Sequence, residues 1–263
     1  MANLYYGSLE HTAYMEKLHH YKILQSVNNS TTFRYVDKVV QELHPKHSVN
    51  ITVENMTTTE AIKHFKGYAA LNFASYKSPG GGFGKVPTRL AQEEYLCKDS
   101  FLFNVLSHPK FETQYEWNRA HLNNGLYTNW CIFSKDVGFV DVKGDIVATA
   151  DIITCAAPNA NVYRNKVHDE YCEHNIDRAM HQRVGFLLAV AKKMGVKNII
   201  LGAFGCGVFG NDPMRVASIF YNHLLNRNYG FENVVFAIPG GTNYEVFKNR
   251  LEDFLKPDNE EED

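Results

Sequence analysis

No run of apolar residues in this chain is long enough to cross a bilayer. Tyr5, Tyr6, Glu10 and His11 also interrupt the stretch where a secretory leader would need its apolar segment. Neither a membrane span nor a cleavable export signal is expected. Excess positive charge is lacking as well: 27 Lys and Arg stand against 29 Asp and Glu, for a net charge of -2 without a basic stripe. A lysine field that neutralises phosphates is excluded, and with it sequence-specific nucleic-acid binding, so a phosphate-bearing ligand has to be held by backbone N–H groups. The cysteines are few, scattered singly and odd in number (Cys97, Cys131, Cys155, Cys172, Cys206). They offer no disulfide framework and point to a reducing, cytoplasmic setting, which an exported effector without a cleavable leader would share in composition. Repeats, low-complexity blocks and Pro/Ser linkers are absent up to the end, where Lys-Pro-Asp-Asn-Glu-Glu-Glu-Asp at 256–263 reads as a disordered acidic tail.

What remains is an ordinary globular composition, 44% hydrophobic over 263 residues, enough for one large core. Residues 1–48 read as a helical extension, with helices over 10–27 and 31–43, the second carrying Val36, Val39, Val40 and Leu43 on one face. Tyr5, Tyr6, Tyr14 and Tyr21 are expected to pack. Val49, Ile51 and Val53 alternate as a strand, and the Thr-rich segment from Thr57 to Glu60 has the form of a helix N-terminus. Residues 68–73 form an apolar run suited to a strand buried on both faces. A loop over 74–89, a helix from Leu90 to Ser107 and two or three strands within 126–155 follow. Then come a helix over 174–194, a strand at 198–202, a helix from Pro213 to Asn228, a strand at 234–238 and a helix at 243–255. Alternating strands and helices predict an α/β domain with a mixed, largely parallel sheet between helices. Ligands of such sheets bind outside the carboxyl ends of the strands.

Two glycine-rich loops fall at that edge. In the first, Gly80, Gly81 and Gly82 follow the strand at 68–73. Three successive glycines are costly in backbone entropy, permit close approach of a ligand, and can turn their N–H groups on an anion. A Walker-type phosphate loop is excluded, because Pro79 stands where its first glycine is required and Val86 where it needs Ser or Thr. The second loop, Gly202 to Pro213, joins a buried strand to a helix N-terminus, a common receptor for phosphate. Its Phe204 and Phe209 suit either stacking on a ligand or plugging the core beneath. Between the loops, Gln92-Glu93-Glu94 opens a helix, where adjacent side chains diverge by about 100° and the two acids take different tasks. His168, Cys172, His174 and His181 match no zinc spacing and read as a polar helix start, and Cys206 lacks a His partner for nucleophilic work.

The blocks Asn-Phe-Ala-Ser, Pro-Gly-Gly-Gly-Phe, Ala-Gln-Glu-Glu and, from Leu201 to Val216, Leu-Gly-Ala-Phe-Gly-Cys-Gly-Val-Phe-Gly-Asn-Asp-Pro resemble the signature of the microbial-type poly(ADP-ribose) glycohydrolases, a branch of the macrodomain fold. Val234 to Ile238 resembles that family's last strand, and the likeness spans roughly 49–240 in unbroken order. One departure is the nine-residue spacer 83–91, longer than the family's, carrying Lys85 and Arg89 at the mouth of the pocket. The resemblance implies one macrodomain-like catalytic domain over 1–255 that acts as a monomer on ADP-ribose, poly(ADP-ribose) or an ADP-ribosylated protein, with no metal or cofactor. It implies that Glu94 is the catalytic acid/base and that Glu93 and Asn72 hold the ribose. Gly80, Gly81 and Gly82 would face the diphosphate from one side, and Gly205, Cys206, Gly207 and Val208 from the other. Phe209 would pack on the ribose, and Gln92 belongs to the same substrate-binding set. Glycoside cleavage, in which a carboxyl protonates the leaving oxygen and then activates water, suits these residue types. A mono(ADP-ribosyl) protein hydrolase and a non-catalytic ADP-ribose reader stand as alternatives; a reader gains nothing from burying an acid at the anomeric carbon.

Overall fold

The computed structural model describes residues 8–34, 49–85 and 91–255. Seven strands form one sheet: β1 (Thr31–Phe33), β2 (Asn50–Glu54), β3 (Ala69–Phe73), β4 (Cys131–Val140), β5 (Ile146–Cys155), β6 (Asn198–Leu201) and β7 (Asn233–Ala237), in the spatial order β1-β4-β5-β3-β6-β7-β2. Strands β5, β3, β6, β7 and β2 run parallel, and β4 and β1 add an antiparallel edge. The mixed, largely parallel sheet expected from the alternation is present.

Alternation along each central strand divides the core into two layers. Ile153, Ile199, Leu201, Val234 and Phe236 face one side, where they pack with α7 (Cys172–Lys193), α8 (Pro213–Asn226) and α9 (Thr242–Leu255). Ile152, Ile200, Val235 and Ala237 face the other, packing with α1 (Ser8–Asn29), α2 (Thr58–His64), α3 (Gln92–Lys98) and α4 (Leu102–Leu106). Burying each such aliphatic side chain contributes about 1.5–3 kcal/mol, which is why strands enclosed on both faces are near-continuous apolar runs. Local signals hold at helix starts. Thr57 and Glu60 form a reciprocal capping box at α2, and Asp212 accepts from the N–H groups of Met214 and Arg215 at α8, with Pro213 in the first turn.

Four expectations differ. Thr31–Phe33, the start of the supposed helix 31–43, is a strand paired antiparallel with β4; residues 35–43, Tyr5, Tyr6 and the acidic tail lie outside the described residues. The helix expected from Leu90 to Ser107 is two helices, because Asp99–Phe101 pairs with Gly138–Val140 of β4: Phe101 N–H donates to Gly138 O and Val140 N–H to Asp99 O. Two further helices, α5 (Glu112–Ala120) and α6 (Ala160–Lys166), carry too short a periodicity to have been anticipated. Tyr14 packs against the core and donates its hydroxyl to Lys143 O, as expected, whereas Tyr21 is 77% exposed.

Candidate active site

The parallel strands β3, β5, β6 and β7 end on one edge, and there the chain leaves a cleft of about 370 Å³ lined by Phe73, Ser75, Gly81, Glu93, Glu94 and Phe209 among others. The two glutamates reach it because Gln92 moors the start of α3 to β3. The β3–β6 ladder stops at Ala70, and the Gln92 amide takes up the freed edge. Its Oε1 accepts from Phe73 N–H at 2.8 Å, and its Nε2 donates to Leu71 O at 2.7 Å and to Thr58 Oγ1 at 3.1 Å. Every polar atom of the Gln92 side chain thus has a partner within the protein, which positions the start of α3.

Glu93, 2% exposed, turns inward. Its Oε2 accepts from Ser75 N–H at 2.7 Å and its Oε1 from Asn72 Nδ2 at 3.3 Å, while the same amide nitrogen donates to Thr154 Oγ1 on β5. Glu94 points to the first glycine loop, where Oε1 accepts from Gly82 N–H at 2.8 Å. Its other oxygen, Oε2, and the Asn72 Oδ1 are buried acceptors without a donor. Leaving a buried acceptor unsatisfied costs about 1–3 kcal/mol, an expense that sets these two atoms apart from the bonded oxygens beside them. The divergence of neighbouring helical residues gives the two acids different partners, as expected. They nevertheless converge on Gly81: a Cβ there would lie 2.7 Å from Glu94 Oε1 and 3.0 Å from Glu93 Oε2.

The three glycines thus do separate jobs. Gly80 (φ +66°) would drive a side chain into the Phe103 ring, Gly81 (φ +58°) leaves room for the carboxylates, and Gly82 supplies the N–H that fixes Glu94. This loop is spent on the acids and on its own turn rather than on a free anion nest. The second loop is the opposite. Among the described residues, the N–H groups of Gly205, Gly207, Val208 and Phe209 have no protein acceptor. Gly205 (φ +75°) packs against Ala157 and Asn211, Gly207 has open space around it, and Val208 is 80% exposed on the rim. Burial, with Asp212 adding to it, pushes the Cys206 thiol up to about 12, the condition of an inert sulfur. The two phenylalanines part company: Phe204 is fully buried against Phe73 and Phe220, whereas Phe209 lines the cleft and meets Tyr127 edge-on at 6.2 Å.

Several cleft residues escaped sequence reasoning. Tyr127, at φ +60°, holds a backbone conformation rare for a bulky residue, and stacks on Tyr76 at 4.2 Å. The Asn123-Asn124-Gly125 run just before it was a legible turn signal. Arg183, within the apolar stripe of α7, is buried and donates to Leu126 O, Ala156 O and Asn129 Oδ1, which holds the Tyr127 segment against the end of β5. At the start of α7, His168, Cys172 and His174 belong to no group of three or more metal-ligating side chains among the described residues, and His181 packs on His223.

Burial pushes the Glu93 carboxyl up to about 8; the neighbouring Glu94 adds to the shift, and the Ser75, Asn72 and Gly80 donors oppose it. Glu93 therefore keeps its proton at neutral pH. Folded protein binds that proton between pH 4.5 and 8 and unfolded chain does not, so stability falls as pH rises through this window. His223, held down to about 3 by burial and by His181, acts oppositely, adding stability only up to the ordinary imidazole value of 6.5. From pH 6.5 to 8 the wild-type Tm is therefore expected to decline and that of Glu93→Gln to stay nearly level. Parallel declines in thermal melts of the two proteins would contradict a neutral Glu93.

The family model described as the microbial-type PARG catalytic domain matches residues 6–141. Poly(ADP-ribose) glycohydrolase from Deinococcus radiodurans, solved in complex with ADP-ribose, shares 30% identity over 88% of this chain and 98% of its own, with a TM-score of 0.75. The enzyme of the same name from Thermomonospora curvata shares 26% over 92% of this chain and 98% of its own, at 0.75. Its form bound to the inhibitor ADP-HPD shares 27% over the same proportions, at 0.76. No curated protein sequence matches.

Proposed function

The chain belongs to the microbial-type poly(ADP-ribose) glycohydrolase family, and from that membership we propose that it hydrolyses the glycosidic bonds of ADP-ribose polymers with Glu94 as acid/base. It is a glycosidase-type hydrolase. The observation that carries the assignment of Glu94 is its divided environment: one oxygen held by Gly82 N–H, the other buried and without a donor in the cleft. Asn72 and Glu93 hold the reacting ribose through the Asn72 Oδ1 and the Glu93 carboxyl. The diphosphate takes the open N–H groups of Gly205, Gly207, Val208 and Phe209, with Gly80, Gly81, Gly82 and Cys206 shaping the walls and Phe209 packing on the ribose.

The reaction follows from this arrangement. Glu94 hands a proton to the leaving oxygen as the glycosidic C–O bond breaks, and positive charge develops at the anomeric carbon. The diphosphate, held nearby by neutral donors, stabilises that charge. Water then attacks the carbon, and Glu94 takes up its proton, which restores the acid. All five cysteines are free, and we place the enzyme in a reducing compartment such as the cytoplasm.

The test is ADP-ribose release from a panel of polymer and of Ser-, Arg- and Glu-linked ADP-ribosyl peptides. Release from polymer is expected. Release from a peptide alone would make this a mono(ADP-ribosyl) hydrolase. Binding of ADP-ribose with no release from any substrate would make it a reader.

A further inference from the structure

The second glycine loop keeps its donors open while its acceptors are taken. The N–H groups of Gly205, Gly207, Val208 and Phe209 have no protein acceptor among the described residues, whereas the carbonyl groups of Gly205, Gly207, Val208, Phe209 and Gly210 all accept. Gly205 O takes the N–H and the Nδ2 of Asn211, and Gly207 O takes Gly210 N–H at 2.9 Å. The next three carbonyl groups turn to α6. Val208 O accepts from Asn161 Nδ2 at 3.1 Å, Phe209 O from Asn161 N–H at 3.0 Å, and Gly210 O from Arg164 Nη1 at 2.8 Å.

In a planar trans peptide the C=O and the N–H point to opposite sides, so a carbonyl tied to α6 turns the following N–H away from its tether. For the Val208–Phe209 peptide that N–H belongs to Phe209, an open donor on a residue that lines the cleft. The Gly210 carbonyl held by Arg164 differs, because its peptide carries Asn211 N–H, already bonded to Gly205 O at 3.1 Å. Of these two side chains, Asn161 is therefore the one that orients an open donor. It is exposed and is not among the residues lining the cleft.

The tether has a firm base. Asn159 N–H donates to Gly125 O at 2.8 Å, its Oδ1 accepts from Val162 N–H at 3.0 Å, and Arg164 makes a two-point pair with Glu173 at 2.6 and 3.0 Å. The Asn161 amide comes this close because residue 210 is glycine (φ +67°), where a Cβ would collide with it. Val208 O has no other donor among the described residues, and the exposed Val208 side chain gives that peptide no packing to hold it.

We propose that Asn161 is a positioning residue for the diphosphate: its amide turns Phe209 N–H toward the phosphate oxygens and keeps Val208 O from facing them. The role rests on the reading of this loop as the diphosphate receptor. A peptide shows an anion either its donor, which binds, or its acceptor, which repels, so one tether decides between the two.

Asn161→Leu is the test, since it keeps the side-chain volume, removes Nδ2 and leaves the backbone N–H that holds Phe209 O. Without ligand, Tm is expected to stay within about 2 °C of wild type, as for an exposed position. The Kd for ADP-ribose and the KM for polymer are expected to rise about 10-fold, the weight of one charge-assisted hydrogen bond. Turnover should stay within about 3-fold, because Glu94 keeps its Gly82 contact. Amide NMR spectra supply a readout that general loosening would not imitate. In wild type, ADP-ribose is expected to shift the signals of Gly205, Gly207, Val208 and Phe209; in the variant, Phe209 alone loses its response. Wild-type affinity in the variant would make Asn161 a bystander, and loss of response at all four amides would make it a general prop of the loop; either overturns the assignment. Failure of the underlying reading looks different: ADP-ribose would then move none of the four amides in wild type, and the role of Asn161 would fall with it.

Discussion

Glu94→Gln is expected to lower turnover on polymer by about 10²–10⁴-fold while ADP-ribose affinity stays within a few-fold. The amide keeps the length of the side chain, and its oxygen can still accept from Gly82 N–H, so the local geometry persists. What disappears is the capacity to hand a proton to the leaving oxygen and recover one from water. Glu93→Gln should behave differently. Its carboxyl touches Ser75 N–H and the Asn72 amide, so the substitution disturbs the seat of the ribose, and binding and turnover fall together. Single-turnover kinetics with a separate binding titration distinguish the two patterns. Retention of wild-type hydrolysis by Glu94→Gln would remove it from the chemistry.

Gly81→Val is expected to cost nearly as much activity by geometry alone. The φ of +58° lies in the left-handed region, which costs an L-residue roughly 1–2 kcal/mol. The new Cβ would stand 2.7 Å from Glu94 Oε1 and 3.0 Å from Glu93 Oε2, so one or both carboxylates must shift. A displacement of about 1 Å in a catalytic group can cost 10²-fold in rate, and a loss of at least that order is predicted, along with a Tm lowered by a few degrees. Gly207→Val is the companion: its Cβ meets no heavy atom within 4 Å, and its backbone is not left-handed. Its stability should therefore stay within about 0.5 kcal/mol of wild type while ADP-ribose affinity drops, because only ligand space is filled. Calorimetric titration with melting curves separates the two. Wild-type turnover in Gly81→Val, or undiminished affinity in Gly207→Val, would return that glycine to a purely backbone role.

The sequence by itself determined the architecture and the place of the site. Apolar runs such as Ile152-Ile153 and Ile199-Ile200-Leu201 have one stable use, as strands buried on both faces, and glycine-rich segments directly after two such strands mark the ligand edge of the sheet. The double glutamate was legible only through its place after the triple glycine, in blocks that resemble the family's signature, because two acids in a first helical turn by themselves merely favour the helix dipole. Tertiary structure decided which polar atoms remain for a ligand. Gln92 sat inside a functional motif, yet its amide closes the open edge of β3; nothing local reveals that, since the β3–β6 ladder ends where it does through strands 130 residues apart. Gly82 N–H reaches Glu94 because α3 comes back over the loop, and Arg183 disappears among accepting carbonyl groups of segments far along the chain. Periodicity and turn chemistry act over a few residues and are written locally. The satisfaction of a buried donor or acceptor depends on what folding brings within 3 Å of it, and the choice between Glu93 and Glu94, one enclosed and neutral, the other with an acceptor left open, was made there.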